Sequence, residues 1–190
     1  AYLDHGFRTL VQDRTRILYS VLCFYTATDR MDRICGPEET KQYLRHTAVV
    51  LNEYLGRNDL LARVQGIGFV MLKQSDGQGV ETWLPTALQR IRDFSRQYGR
   101  QYSCEVSCGI YSLQEDDRDL DEAVFKAFQS AQKACREETD YIVCSQDLIH
   151  ELAQERRLRG EIASAFERGE FLFYIQFYVD SRTYQVVGGE

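Results

Sequence analysis

The sequence is short of several things, and each shortage closes off a class of function. No apolar run approaches the roughly 20 residues that span a bilayer, and the N-terminus is not a basic-then-apolar secretion leader. Positive charge is in deficit: 23 lysines and arginines stand against 29 acidic residues, for a net charge of −6. Such a surface offers no uniform field to a polyanionic backbone, which argues against DNA or RNA as the main partner and makes any nucleotide ligand a small one. There is no Cys-x-x-Cys pair, and His5, His46 and His150 lie far apart without metal-ligand spacing. The six cysteines read as core filler. Cys104, Val106, Cys108 and Ile110 alternate onto one strand face, where residues four apart, as Cys104 and Cys108 are, lie about 13 Å from each other, too far for a shared metal or a direct disulfide. Cys23 sits in an apolar run, Cys135 on the apolar side of a helix and Cys144 in a short strand. Reduced thiols point to the cytoplasm, with a membrane anchor upstream of Ala1 left open.

What is present is ordinary globular composition, 44% apolar and 27% charged over 190 residues, enough for one domain with some forty residues to spare. Residues 17–27, ILYSVLCFYTA, form a buried strand, and Gly36-Pro37 marks a loop. Leu44, Ala48, Leu51 and Leu55 recur at helical spacing between Pro37 and Gly56. LLARV and FVMLK then make a hairpin around Gln65-Gly66-Ile67-Gly68, and a glycine-rich loop from Ser75 to Gly79 leads to a helix carrying Leu84, Leu88, Ile91 and Tyr98 on one side. The strand of Cys104 and Cys108 follows. A third helix opens at Asp119, spaced from Glu122 as in a capping box, with Val124, Phe128, Ala131 and Cys135 as its buried stripe, and residues 141–144 add a short strand.

This order is the split βαββαβ pattern of ferredoxin-like α+β folds, whose sheet is antiparallel with helices on one face. The expected domain spans residues 1–146. Residues 147–169 form a charged connector helix in which Arg156, Arg157 and Arg159 either pair with Glu155 and Glu161 or meet phosphates. Residues 170–190 form a very apolar hairpin, strands at 171–179 and 185–187, that looks like the start of another domain.

In the nucleotide-cyclase version of this palm, the first strand and the first hairpin bring carboxylates to one end of the sheet to hold a pair of Mg²⁺ ions. Here the strand ends Phe24-Tyr25-Thr26-Ala27-Thr28 and the hairpin tip is Gln65-Gly66-Ile67-Gly68-Phe69, without a carboxylate in either. Residues Arg63 to Val70 nevertheless resemble the Arg-x-Gly-Gly-Asp-Glu-Phe signature of GGDEF domains, the diguanylate cyclases, and Phe24 to Thr28 resembles their Phe-x-Asp-x-Asp metal strand. Ser107-Cys108-Gly109-Ile110 is similar to the family's Ser-x-Gly-Ile strand, and Leu120-Asp121-Glu122 through Ala131-Gln132-Lys133-Ala134 to its last helix. The tail, from Glu155-Arg156-Arg157-Leu158 through Ala165 to Phe171, Tyr174-Ile175-Gln176, Val179-Asp180 and Val187-Gly188-Gly189-Glu190, resembles the opening of an EAL domain, the cyclic di-GMP phosphodiesterase.

Carried over position by position, the resemblance implies a degenerate cyclase site. Thr26 and Thr28 stand for the strand aspartates, Ile67 for the signature Asp and Gly68 for the metal-holding Glu. The guanine-contacting Asn-Asp segment has no match between Arg30 and Glu39, and Asp29 and Asp32, in a loop, are the remaining carboxylates that could reach the site. In the product-inhibition motif Arg-x-x-Asp, Asp59 falls in place but Gly56 takes the Arg position, with Arg57 one residue late. In the EAL portion Gln176 aligns with a nucleotide-lining Gln and Glu190 with one metal ligand, while Phe177 and Tyr178 depart from the pattern; this stretch alone cannot order the two-metal cluster of hydrolysis. The implied protein is a bacterial cytoplasmic signalling protein with no cofactor in this portion, Mg²⁺ or Mn²⁺ being expected only in an intact EAL domain. Its role is regulation of the attached phosphodiesterase, by binding GTP or cyclic di-GMP or by setting homodimer geometry. The alternatives are a scaffold that binds no nucleotide and an active cyclase.

Overall fold

The computed structural model describes residues 2–11, 15–75, 79–100, 102 and 104–190, so the expected loop from Ser75 to Gly79 lies largely outside it. The chain divides into two compact units, 1–149 and 150–190. In the first, helix α1 (Tyr2–Leu10) precedes β1 (Tyr19–Thr26), α2 (Thr28–Cys35) and α3 (Pro37–Asn52). The hairpin β2 (Leu60–Val64) and β3 (Gly68–Gln74) follows, then α4 (Leu84–Arg92), α5 (Phe94–Gln97), β4 (Val106–Ser112), α6 (Leu120–Arg136), β5 (Tyr141–Val143) and the start of α7 (Gln146–Glu167).

The five strands form one sheet in the order β2-β3-β1-β4-β5, the ferredoxin-like order with one strand added. β1 is central and antiparallel to both neighbours, so its apolar residues are needed on both faces, which explains a continuous rather than alternating run. Two expectations are corrected. β5 pairs parallel to β4, so the sheet is mixed, and helices cover both faces. Leu22, Phe24, Met71, Cys108 and Ile110 face α3 and α4, whereas Tyr19, Val21, Cys23, Val70 and Tyr111 face α1 and α6.

Helix α6 also turns a different face inward. Its buried seam is Ala123, Ala127, Ser130, Ala131 and Ala134, with Val124 and Phe128 packed at its margin and Cys135 half-buried. Gly109 explains this: a Cβ there would lie 1.9 Å from the Ala127 carbonyl oxygen and 2.4 Å from the Ala131 nitrogen. Backbone meets backbone, and only small residues fit the contact. Asp119 caps α6 by accepting from the Asp121 N–H at 2.9 Å, but Glu122 pairs with Lys126 at 3.0 Å instead of completing a capping box.

The expected helix from Leu84 to Tyr98 breaks at Asp93 into α4 and α5, which leaves Tyr98 exposed with its ring 4.8 Å from that of Phe94. Residues 28–35, expected to be loop, form α2, anchored by the buried Met31. Cys23, Cys104 and Cys108 are buried as expected, Cys104 just ahead of its strand, and the six cysteines are free. Burial pushes the Cys104 thiol up to about 11.

In the second unit, the arginines of α7 pair along the helix, Arg157 with Glu161 at 3.0 Å and Arg159 with Glu155 at 3.6 Å, while the Arg156 side chain lies outside the described residues. Of the expected strand 171–179, Phe177–Val179 forms the strand β6, paired antiparallel with β7 (Val186–Gly189). Phe173 and Tyr174 are 89% and 85% exposed, a degree of apolar exposure that ordinary surfaces do not carry contiguously.

Candidate functional site

The carboxyl end of β1 and the tip of the β2–β3 hairpin meet as the sequence implies. The register opposes Tyr25 to Gly68, and the Thr26 N–H donates to the Ile67 carbonyl at 3.2 Å. Gln65 and Gly66 are exposed at the tip, Ile67 is half-buried and packs against the core cluster on the α6 side, and Phe69 is buried in the opposite one. Gly68 is buried with φ +122°, and a Cβ on it would lie 2.4 Å from the Phe24 carbonyl oxygen and 2.7 Å from Thr26 Oγ1. Thr26 is 2% exposed and its hydroxyl has no hydrogen-bond partner among the described residues. Thr28 is half-buried and opens α2 after Ala27, a residue that supplies no side-chain cap.

Beside this corner lies a groove of about 340 Å³ whose walls include Tyr25, Thr28, Asp29, Arg30, Gly66 and Glu105. Arg30 Nη1 reaches Glu105 Oε1 at 2.6 Å, and Arg33 Nε donates to the Asp29 carbonyl at 3.1 Å. Asp29 lines the groove; Asp32 is exposed on α2 away from its lining. Burial, reinforced by the charges of Cys135, Asp29 and Glu105, raises the Tyr25 hydroxyl above its ordinary value. Burial, with Glu105 again contributing, raises the Cys135 thiol above its ordinary value, the direction that disfavours the thiolate. A second groove of about 580 Å³ adjoins the same wall on the β4 side, with Arg92, Ser107, Arg136 and Thr139 in its lining. Ser107 is committed to structure, since its hydroxyl donates to the Ala131 carbonyl at 2.8 Å. Among the described residues no group of three or more His, Cys, Asp or Glu side chains could hold a metal ion.

Asp59 and Arg57 are not brought together. Asp59 Oδ2 accepts from the Gly56 N–H and from Lys73 Nζ, each at 2.6 Å, and its Oδ1 accepts from the Gln74 N–H at 2.8 Å. The Lys73 and Asp59 side chains are 8% and 2% exposed, and Lys73 also donates to the Tyr54 carbonyl at 3.1 Å. Asp59 is thus the buried counterion of Lys73 and the clamp of the turn before β2, while Arg57 is exposed. Lys73 could have been suspected as a charge ending the apolar strand FVMLK. Arg30 and Glu105, 75 residues apart, carry no local signal.

In the second unit, Gln176 and Glu190 face each other across the hairpin, exchanging backbone hydrogen bonds at 2.9 and 3.1 Å. The Tyr178 hydroxyl donates to the Glu190 carboxylate.

No curated protein matches this chain. Solved structures do. The active GGEEF domain of a diguanylate cyclase from Vibrio cholerae aligns with a TM-score of 0.56 at 17% identity over 75% of this chain and 91% of that one. The GGDEF domain of DgcB from Caulobacter crescentus, solved in complex with c-di-GMP, aligns with a TM-score of 0.55 at 15% identity over 75% and 82%. The S helix-GGDEF-EAL portion of Vibrio cholerae LapD, bound to c-di-GMP, aligns with a TM-score of 0.61 at 11% identity, covering 99% of this chain and 44% of that one. At these identities the likeness is one of fold, the cyclase palm. The sequence itself matches the profile of the diguanylate cyclase GGDEF domain over residues 2–140, and on that match the chain belongs to the GGDEF family.

Proposed function

We propose that this is a GGDEF domain from which the cyclase chemistry has been lost and which serves a c-di-GMP signalling protein as a regulatory module. In this reading residues 1–146 are the degenerate domain, 147–169 a connector helix and 170–190 the first hairpin of an EAL phosphodiesterase domain. The observation that carries it is the corner between β1 and the hairpin. Where the family places a metal-holding Glu, Gly68 occupies a backbone conformation that suits glycine, in a space too tight for any side chain. Ile67 is spent on packing, and Thr26 and Thr28 offer neutral hydroxyls where divalent cations take anionic oxygens. The donor set does not fit a pair of Mg²⁺ ions. Asp29 and Glu105 line the neighbouring groove, but Glu105 is engaged by Arg30.

The groove retains cations and an uncapped helix start, features suited to phosphate, so GTP is the ligand proposed for it. Cyclic di-GMP at the Asp59 turn is disfavoured by the burial of Asp59 against Lys73. LapD, with its GGDEF and EAL parts in one chain, supports the reading of residues 150–190, in which Gln176 and Glu190 await the remaining ligands of an EAL site and its Mg²⁺ or Mn²⁺. No helix among the described residues is long and apolar enough to cross a membrane, and the cytoplasm is the proposed location.

One observation favours a scaffold that binds no nucleotide and acts through dimer geometry: Arg30 and Arg92 both already hold a carboxylate at 2.6 Å. Calorimetry with GTP and with c-di-GMP decides between them. Heat with GTP that persists in EDTA supports the regulatory reading, and silence at millimolar GTP leaves only the scaffold. Formation of c-di-GMP from GTP and Mg²⁺ at high protein concentration would overturn both.

A further inference from the structure

The pair Arg30–Glu105 stands where three cavities meet. Both residues line the 340 Å³ groove at the end of β1, the 580 Å³ groove on the β4 side, and a small pocket of about 70 Å³ under Met31, Ile34 and Tyr102. The ion pair crosses from the first turn of α2 to the residue just ahead of β4 and is the partition common to all three. Its two ends are not equally free. The Glu105 backbone is pinned, since the buried Tyr43 hydroxyl donates to its carbonyl at 3.3 Å and Val106 beyond it accepts from Arg92 Nη2 at 2.9 Å. The side chains are 61% and 39% exposed, so the contact is one that water and salt already weaken.

We propose that Glu105 is an internal stand-in for an anionic ligand: it occupies Arg30 in the resting protein, and a polyphosphate that takes Arg30 over opens the partition and joins the grooves into one cleft. The proposal rests on the reading that this cleft receives a nucleoside triphosphate, and it adds the residue that regulates entry. The chemistry favours exchange rather than simple addition. An arginine fork binds phosphate as it binds carboxylate, and a triphosphate brings several negative charges against the single charge of Glu105. An exposed pair opposes this exchange only weakly, whereas the buried pair Lys73–Asp59 elsewhere in the domain would resist it. Cys135 lines both large grooves without taking part in the pair.

The test is calorimetric titration of GTP and of inorganic triphosphate, in EDTA, into the wild-type chain and the variants E105Q, E105D and R30A. Glu105→Gln removes the competing charge and should tighten both ligands by about three- to fivefold, the factor that corresponds to an exposed ion pair. Glu105→Asp keeps the charge but shortens the reach; it should tighten binding as well, which separates a latch from a mere background field. R30A should weaken binding and abolish the gain when combined with E105Q. Binding by the wild-type chain that E105Q leaves unchanged overturns the latch while the nucleotide reading stands. Tightening by E105Q but not by E105D overturns it in favour of simple repulsion. Binding by E105Q where the wild-type chain is silent supports it in its strongest form. Silence from every variant overturns the latch and the nucleotide reading together.

Discussion

Replacing Gly68 with glutamate puts in the residue type that the proposed alignment with the GGDEF signature assigns to this place, and the expected outcome is a damaged protein and not a repaired one. Two costs add. The position has φ +122°, which an L-residue adopts at roughly 1–3 kcal/mol. A Cβ there sits 2.4 Å from the Phe24 carbonyl oxygen, about 1 Å inside ordinary contact, and overpacking of this kind costs about 1–3 kcal/mol. The obstacle is the backbone of the central strand, held on both sides by β3 and β4, so it cannot swing aside as a flexible side chain would. The sum is about 2–6 kcal/mol, and a total near 4 kcal/mol would lower the melting midpoint by roughly 8–16 °C for a domain of this size. Gly66 provides the control: its φ is +79°, but nothing among the described residues lies within 4 Å of the Cβ it would gain, so Gly66→Glu carries the conformational cost without the clash. Urea denaturation of G68E, G66E and the wild-type chain measures the difference. The reasoning fails if G68E is no less stable than G66E, and it fails on the functional side if T26D/I67D/G68E makes c-di-GMP with Mg²⁺.

Lys73→Met leaves the Asp59 carboxylate buried without its cation and should cost about 3–5 kcal/mol in urea denaturation, much of it recovered in the double variant D59N/K73M; a loss below about 1 kcal/mol would show that Asp59 is not the clamp described. The Cys104 thiol, raised from its ordinary 9.0 to about 11, keeps its proton in the folded chain over a range where the unfolded chain has lost it. The folded state then binds more protons, so this contribution is full below about pH 9 and is lost as pH rises through 11, by at most about 1.4 kcal/mol per pH unit. C104A should flatten the decline of the melting midpoint between pH 8 and pH 11, and an unchanged slope would discard the assignment.

The parts of the fold legible in the sequence were those fixed by local pattern. The apolar run of β1, the glycines of the β2–β3 turn and the punctuated ends of α3 placed those elements within a few residues. The rest of the fold depends on contacts remote in sequence. Residues 28–35 are mostly polar and bury only Met31, so no stripe announced α2. The inward face of α6 is alanine and serine, which a search for large apolar residues passes over in favour of Val124 and Phe128; the reason lies in Gly109 on another element. At the candidate site, the lack of a carboxylate in residues 24–28 and 65–69 is legible directly, because side-chain chemistry is written in the sequence. Gly68's confinement, the capture of Asp59 by Lys73 and the bridge from Arg30 to Glu105 are not, since each is a meeting of residues from different elements.

The contact between Gly109 and the Ala127–Ala131 turn has a mechanical consequence. Because main chain rests on main chain there, a side chain added at Gly109 would have to displace the backbone of the helix and not a movable rotamer. That slab is a fixed anvil. On the reading proposed above, an occupant of the neighbouring grooves would meet movable groups elsewhere, in the long side chains of Arg30 and Arg33 on the short helix α2.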